Sequence, residues 1–268
     1  MPNTRDKPLV VQVSPEAGSL DAVWWAADYA SRRGSPLLLV HTSPDILSIV
    51  EQVRRRYPEV ALHQEFATGS AVDILVAESA TAHLVVVGRR PRRVFAKATA
   101  TELSARARCP VVAVPPGLRW YDPELPVVVG VHNGDSAPDL LAVAFTEAEA
   151  LGTGVTVVRC GPRSDDVERS ISAAATRHPG VPLHTEMIGG SPARALAWHA
   201  HFGSMVVVGS HGAGPSVSRA VMRRTSIPVV VVGPHAVLPA TSDTGEEPAR
   251  RAENLTSSPV AARIDEPV

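Results

Sequence analysis

The sequence predicts an α/β protein built from two tandem copies of one doubly wound unit, each organised on a five-stranded parallel sheet. Three observations carry this prediction. The first is internal repetition. LVVQV (9–13) answers to VVVGV (127–131) 118 residues on, and CPVVAVP (109–115) answers to IPVVVVG (227–233) at the same offset. Between them, LHQEFATGSA (62–71) answers to LHTEMIGGSP (183–192) and HLVVVG (83–88) to SMVVVG (204–209), both 121 residues on. The second is continuous apolar runs such as VVVV, which lack polar alternation and so fit strands covered on both faces. The third is helical periodicity in the stretches that separate these runs.

Taken in order, the first copy places strands at 9–13, 37–41, 61–66, 84–88 and 111–114. The second places them at 127–131, 155–159, 183–188, 205–209 and 229–232. SLDAVWWAADYASRRG (19–34), SAVDILVAESATA (70–82) and TELSARARC (101–109) repeat apolar residues at spacings of three and four, bounded by glycine or proline. Alternating strands and helices with right-handed crossovers give the doubly wound layer. The expected division is a first copy over 1–115, a connector over 116–126 and a second copy over 127–234. The connector is proline-rich and reads as extended. Residues 235–268 have almost no large apolar side chains and read as a disordered tail, with a partner-binding peptide as the alternative.

Composition narrows the function. A formal charge of −1 over 268 residues gives no basic surplus for neutralising phosphates along a nucleic acid. No signal peptide and no apolar stretch of bilayer length is present, so no membrane role is expected and the cytoplasm is the expected location. Cys109 and Cys160 lack metal or redox spacing and read as buried small hydrophobes. Trp24 and Trp25 read as one buried and one flanking packing residue. His199 and His201 sit two apart and would face different directions on a helix, so no metal site is expected there. GxSxG, HExxH and paired catalytic carboxylates are all missing from the sequence, and no catalytic residue is assigned.

In open α/β sheets, ligands sit beyond the carboxyl ends of strands where strand order reverses, against the N–H groups of a helix start. The loops after the first strand (14–19, 132–137) and after the fourth (88–101, 209–218) meet that description in each copy. In GSHGAGPSVS, Gly209, Gly212 and Gly214 let the backbone approach an anion, with Ser216 and Ser218 at the next helix start and His211 as a contact or as a turn residue. RRPRR (89–93) replaces that loop in the first copy and reads as an acidic-ligand site or a solvated loop.

Paired domains in which VVVG leads into a glycine loop and then CPVVAV or IPVVVV resemble tandem universal stress proteins, over residues 7–234. The resemblance implies two Rossmann-like, adenine nucleotide alpha hydrolase-like domains, paired within one chain as a pseudo-dimer through VVAV (111–114) and VVVV (229–232), with a homodimer of chains as a further assembly. Nucleotide-binding members carry G-x2-G-x9-G-[S/T] after the fourth strand and an aspartate at the end of the first. Gly209 and Gly212 satisfy the opening, but counted forward the closing pair falls on Met222-Arg223, and counted back from IPVVVV it falls on Pro215-Ser216, a loop shorter by about seven residues; in the first copy Pro91 stands in the second glycine's place and the pair falls on Thr101-Glu102 or Lys97-Ala98. Ser14 and His132 stand where the aspartate is expected, and neither is a permanent anionic acceptor. The implied function is a stress-response or signalling module working through protein contacts, with nucleotide binding weakened or lost. The alternative is an ATP or AMP sensor using Gly209, His211, Gly212, Gly214, Ser216, Ser218 and His132. ATP hydrolysis ranks below both.

Overall fold

The computed structural model describes residues 7–13, 19–42, 46–89, 99–118, 121–132, 136–210 and 217–238, apart from the side chains of Thr99 and Cys160. The first half runs β1 (Leu9–Val13), α1 (Ser19–Arg33), β2 (Leu37–His41), α2 (Leu47–Arg56), β3 (Leu62–Phe66), α3 (Ala71–Glu78), β4 (Leu84–Gly88), α4 (Thr99–Ser104) and β5 (Val111–Val114). The second runs β6 (Val127–Val131), α5 (Ala137–Leu151), β7 (Val155–Cys160), α6 (Asp165–Arg177), β8 (Leu183–Ile188), α7 (Pro192–His199), a 3-10 turn (Ala200–Phe202), β9 (Met205–Gly209), α8 (Val217–Met222) and β10 (Val229–Val232).

All ten strands form one sheet in the order β3-β2-β1-β4-β5-β10-β9-β6-β7-β8. The two five-stranded parallel sheets are thus fused. Their junction is the antiparallel pairing of β5 with β10, where Val112 stands opposite Val230. Every residue of both strands is buried, so the fusion removes two apolar edges from water.

Alternation along each strand divides the core into two layers. Leu9, Val11 and Val13 face α1, while Val10 joins Val85 and Leu75 on the face of α3. Each layer continues across the junction: Val112, Val129 and Val230 belong to the first, Val111, Val128 and Val229 to the second. Full burial of a valine or leucine side chain contributes about 1.5–3 kcal/mol. The outer strands differ, since β3 and β8 are largely exposed.

Local chemistry sets the ends of the helices. Ser70 accepts a hydrogen bond from the Asp73 N–H at the start of α3, which is why that helix begins one residue later than its periodic segment. The Arg106 guanidinium and the Ser70 hydroxyl hold the Asp73 carboxyl below its usual range. The end of α5 needs a left-handed residue, and Gly152 supplies it with φ 69°.

The connector is docked rather than free. The Gly117 N–H donates to Asp21 of α1 (2.9 Å), Leu118 and Tyr121 pack against the core, and the Thr153 hydroxyl donates to the Glu124 carbonyl (2.8 Å). The expected disordered tail is corrected at its start. The Val237 N–H donates to the Arg108 carbonyl (2.7 Å), and Ala236 and Leu238 pack on the core through their apolar side chains. Residues 239–268 lie outside the described residues.

Candidate functional site

Strand order reverses between β1 and β4 and again between β6 and β9, the two positions where this architecture opens a crevice. In the second half, Gly209 closes β9 and His132 follows β6 directly. The register Val129 opposite Val207 carries both to the same end of neighbouring strands. His132 is exposed, and its ring lies over the turn after β7: a Cβ added to Gly161 would stand 2.9 Å from the ring's Cε1. Gly161 has φ 115°, so both space and backbone conformation call for glycine there. Ser218 falls in the first turn of α8 and is only 2% exposed.

The structure therefore brings Gly209 and His132 together and buries Ser218. His211, Gly212, Gly214 and Ser216 lie outside the described residues, as do Ser14 and Arg90 to Arg93. The length of the loop is nonetheless fixed by its ends. Only residues 210–216 separate β9 from α8. Thirteen steps from Gly209 end on Met222, which is the last residue of α8 and is 8% exposed.

In the first half, Arg89 follows β4 and is tied to the other half of the chain. Its Nη2 donates to the Thr225 carbonyl of the second half (2.7 Å), and burial lowers its pKa to about 10. Thr101 and Glu102 lie inside α4, with Glu102 an acidic residue in its first turn. The buried cation on β7, Arg159, is matched by Glu168.

The remaining candidates resolve as packing. Trp25 is 2% exposed and stacks on Tyr29 with ring centroids 4.9 Å apart, while Trp24 is partly buried. His199 reaches Glu186 (3.3 Å) and His201 the Trp198 carbonyl (3.1 Å), so the two do not converge. Among the described residues no cluster suited to a metal ion is found. Burial pushes the Cys109 thiol up to about 12, which keeps it protonated and inert.

One polar cluster escaped the sequence reading. Between α1 and α5, the Tyr29 hydroxyl donates to Glu147 Oε2, His83 Nε2 shares a hydrogen bond with Glu147 Oε1 (2.7 Å), and Arg33 Nη1 lies 3.5 Å from Oε2. Burial pushes the Glu147 carboxyl up to about 8. Burial, then the charges of Arg33 and Lys7, hold His83 well below its ordinary value, so the imidazole is neutral. Lys7, His83, Thr146, Glu147, Val237 and Leu238 line a small pocket there. The available signal was the repeat: Glu147 lies 118 residues after Tyr29, on a stripe that is buried in the first copy.

No protein-family model matches the chain. It is 27% identical to a universal stress protein of Mycolicibacterium smegmatis, over 84% of this chain and 97% of that one. A universal stress protein of Mycobacterium tuberculosis is likewise 27% identical, over 83% of this chain and 95% of its own length. Among solved structures, a universal stress protein from Archaeoglobus fulgidus superimposes with a TM-score of 0.65 at 16% identity, covering 84% of this chain and 98% of that one, which concerns the fold alone. With its two fused halves and repeated strand order, the chain is similar along most of its length to curated universal stress proteins of matching length and shares the fold of the solved one.

Proposed function

We propose that the protein is a stress-response or signalling module of the universal stress type that works in the cytoplasm mainly through contacts with other proteins, its nucleotide sites weakened or lost. The observation that supports this most is the placement of Met222. A phosphate-wrapping loop needs exposed glycine and hydroxyl donors at its close, and the position that would provide them is a buried methionine at the end of α8. His132, where an acidic acceptor for an adenine amino group belongs in the family pattern, points the same way. Each charge-assisted bond missing from a phosphate removes about 1.5–3 kcal/mol, and two or three such losses move a micromolar site to millimolar.

The second reading, an ATP or AMP sensor, is favoured by Gly209 and His132 meeting at a strand-order reversal. Calorimetric titration of the full chain with ATP, ADP and AMP, with and without magnesium, separates the two. The module reading expects no saturable heat below millimolar nucleotide. Micromolar binding that disappears in Gly212→Val would replace it with the sensor. Phosphate release that depends on the same glycine would add ATP hydrolysis, for which no catalytic residue is assigned.

A further inference from the structure

The two outermost strands share a sequence pattern with an unusual property. β3 reads Leu-His-Gln-Glu-Phe and β8 begins Leu-His-Thr-Glu-Met. Each is complementary to itself when reversed: an apolar residue meets an apolar one, and histidine meets glutamate. Natural sheet edges are usually blunted by lysine, proline or mismatched charge. Neither strand contains lysine, arginine or proline, and both stand open, with Phe66 55%, Met187 54% and Leu183 38% exposed.

The geometry points to β8 as a docking edge for β8 of a second copy of this chain, paired antiparallel about a twofold axis at Thr185. In that register Leu183 stands opposite the partner's Met187, and His184 opposite the partner's Glu186. Directly opposed residues in an antiparallel pair share a face, so a twofold axis perpendicular to the sheet must pass through a residue position. Moving it to Glu186 opposes two carboxylates, and moving it to His184 opposes two imidazoles. Thr185 is the centre at which both charge and hydrophobicity match.

Two features favour β8 over β3. β8 is one residue longer. Beside it, α7 and the 3-10 turn present Trp198, 65% exposed, and Phe202, 59% exposed, with ring centroids 6.0 Å apart. The repeat puts Ala77 and Thr81 at those places next to β3. Glu186 ties the aromatic surface to the edge, since it bonds His184 within the strand (3.0 Å) and meets His199 of α7 (3.3 Å). Backbone ladder bonds would supply the affinity of such a joint, and the alternating side chains its register. The interface is isologous, so it closes at a dimer and leaves β3 free.

The test uses the full chain in sedimentation velocity at rising concentration, together with Thr185→Cys and Gln64→Cys under mild oxidation. Opposed residues bring their Cβ atoms to about 4.5–5.5 Å, close enough for a disulfide after small adjustment. Covalent dimer from Thr185→Cys alone is the expected result. His184→Glu opposes two carboxylates and Glu186→Lys removes the acceptor facing His184, so each should weaken the dimer about tenfold, and an equimolar mixture of the two should recover it because the carboxylate introduced by His184→Glu then meets the ammonium introduced by Glu186→Lys. A chain that stays monomeric at millimolar concentration with no cross-link at Thr185 overturns the proposal, as does cross-linking at Gln64 in its place. Failure of the mixture to recover association overturns the register.

Discussion

Tyr29 and Glu147 occupy equivalent places in the two repeats, 118 residues apart, and the structure closes a hydrogen bond between them across the packing of α1 on α5. A position at the centre of a twofold arrangement meets its own counterpart. Two glutamates there would repel, whereas tyrosine against glutamate gives a donor and an acceptor in a site without water.

Tyr29→Phe should therefore cost about 1–2 kcal/mol, because one buried acceptor bond is lost while the stack on Trp25 is kept. Glu147→Leu should cost about 3–5 kcal/mol, since it leaves the buried polar groups of Tyr29, His83 and Arg33 without their shared partner. Urea midpoints measure both. A double-mutant cycle of Tyr29→Phe with Glu147→Gln should show a coupling of about 1 kcal/mol, and strict additivity would contradict a direct bond.

The same cluster predicts a pH dependence. The folded value for Glu147, about 8, is above its unfolded value, so its contribution is full below the ordinary carboxylate range and is lost as pH rises through 8. His83 acts in the opposite sense: its folded value is depressed, and its contribution is lost as pH falls below the ordinary histidine range. Stability should decline from pH 6 to 9 in the parent and decline less in Glu147→Gln. Equal slopes in the two proteins would place the titrating group elsewhere.

At the sheet junction, Val112→Asp and Val230→Asp each put a charge where the parent valine is fully buried. A loss of several kcal/mol is expected for either variant, with faster proteolysis in the connector. Unchanged midpoints would argue that the halves do not pair through these strands in solution.

Gly233 follows β10 where the carbonyl of Ser104, the last residue of α4, comes down on it: a Cβ would stand 1.8 Å from that oxygen. Backbone cannot step aside as a side-chain tip can. Gly233→Ala should cost about 1–3 kcal/mol by overpacking, measured as a lowered urea midpoint.

Burial protects Cys109. In a Cys160→Ser background the native chain should resist iodoacetamide at pH 8, because a thiol with a pKa near 12 is about one part in ten thousand thiolate there. Labelling at the rate of the unfolded chain would contradict that burial.

Most of the architecture was legible in the sequence because the inner strands are apolar runs, mostly of valine, which have one reading once the repeat aligns them. Eight of the ten strands match their expected bounds; β3 starts one residue late and β7 ends one residue late. Fusion of the halves came from family likeness, since periodicity does not say which strands become edges. The candidate site was legible only as a set of positions. Spacing exposed the short loop, but it could not show that Ser218 at the start of α8 is only 2% exposed, since burial depends on the tertiary fold. Glu147 was hidden for a different reason: in FTEAEA a glutamate looks like a solvated helix face, and its burial depends on a helix 118 residues earlier in the chain.

The antiparallel meeting of β5 and β10 has a consequence for recognition. Strands of the first half run opposite to those of the second, so their carboxyl ends open at opposite rims of the sheet. A molecule seated beside His132 looks away from one seated beyond Gly88. The two rims are joined across the sheet by the valine junction and the Tyr29–Glu147 contact.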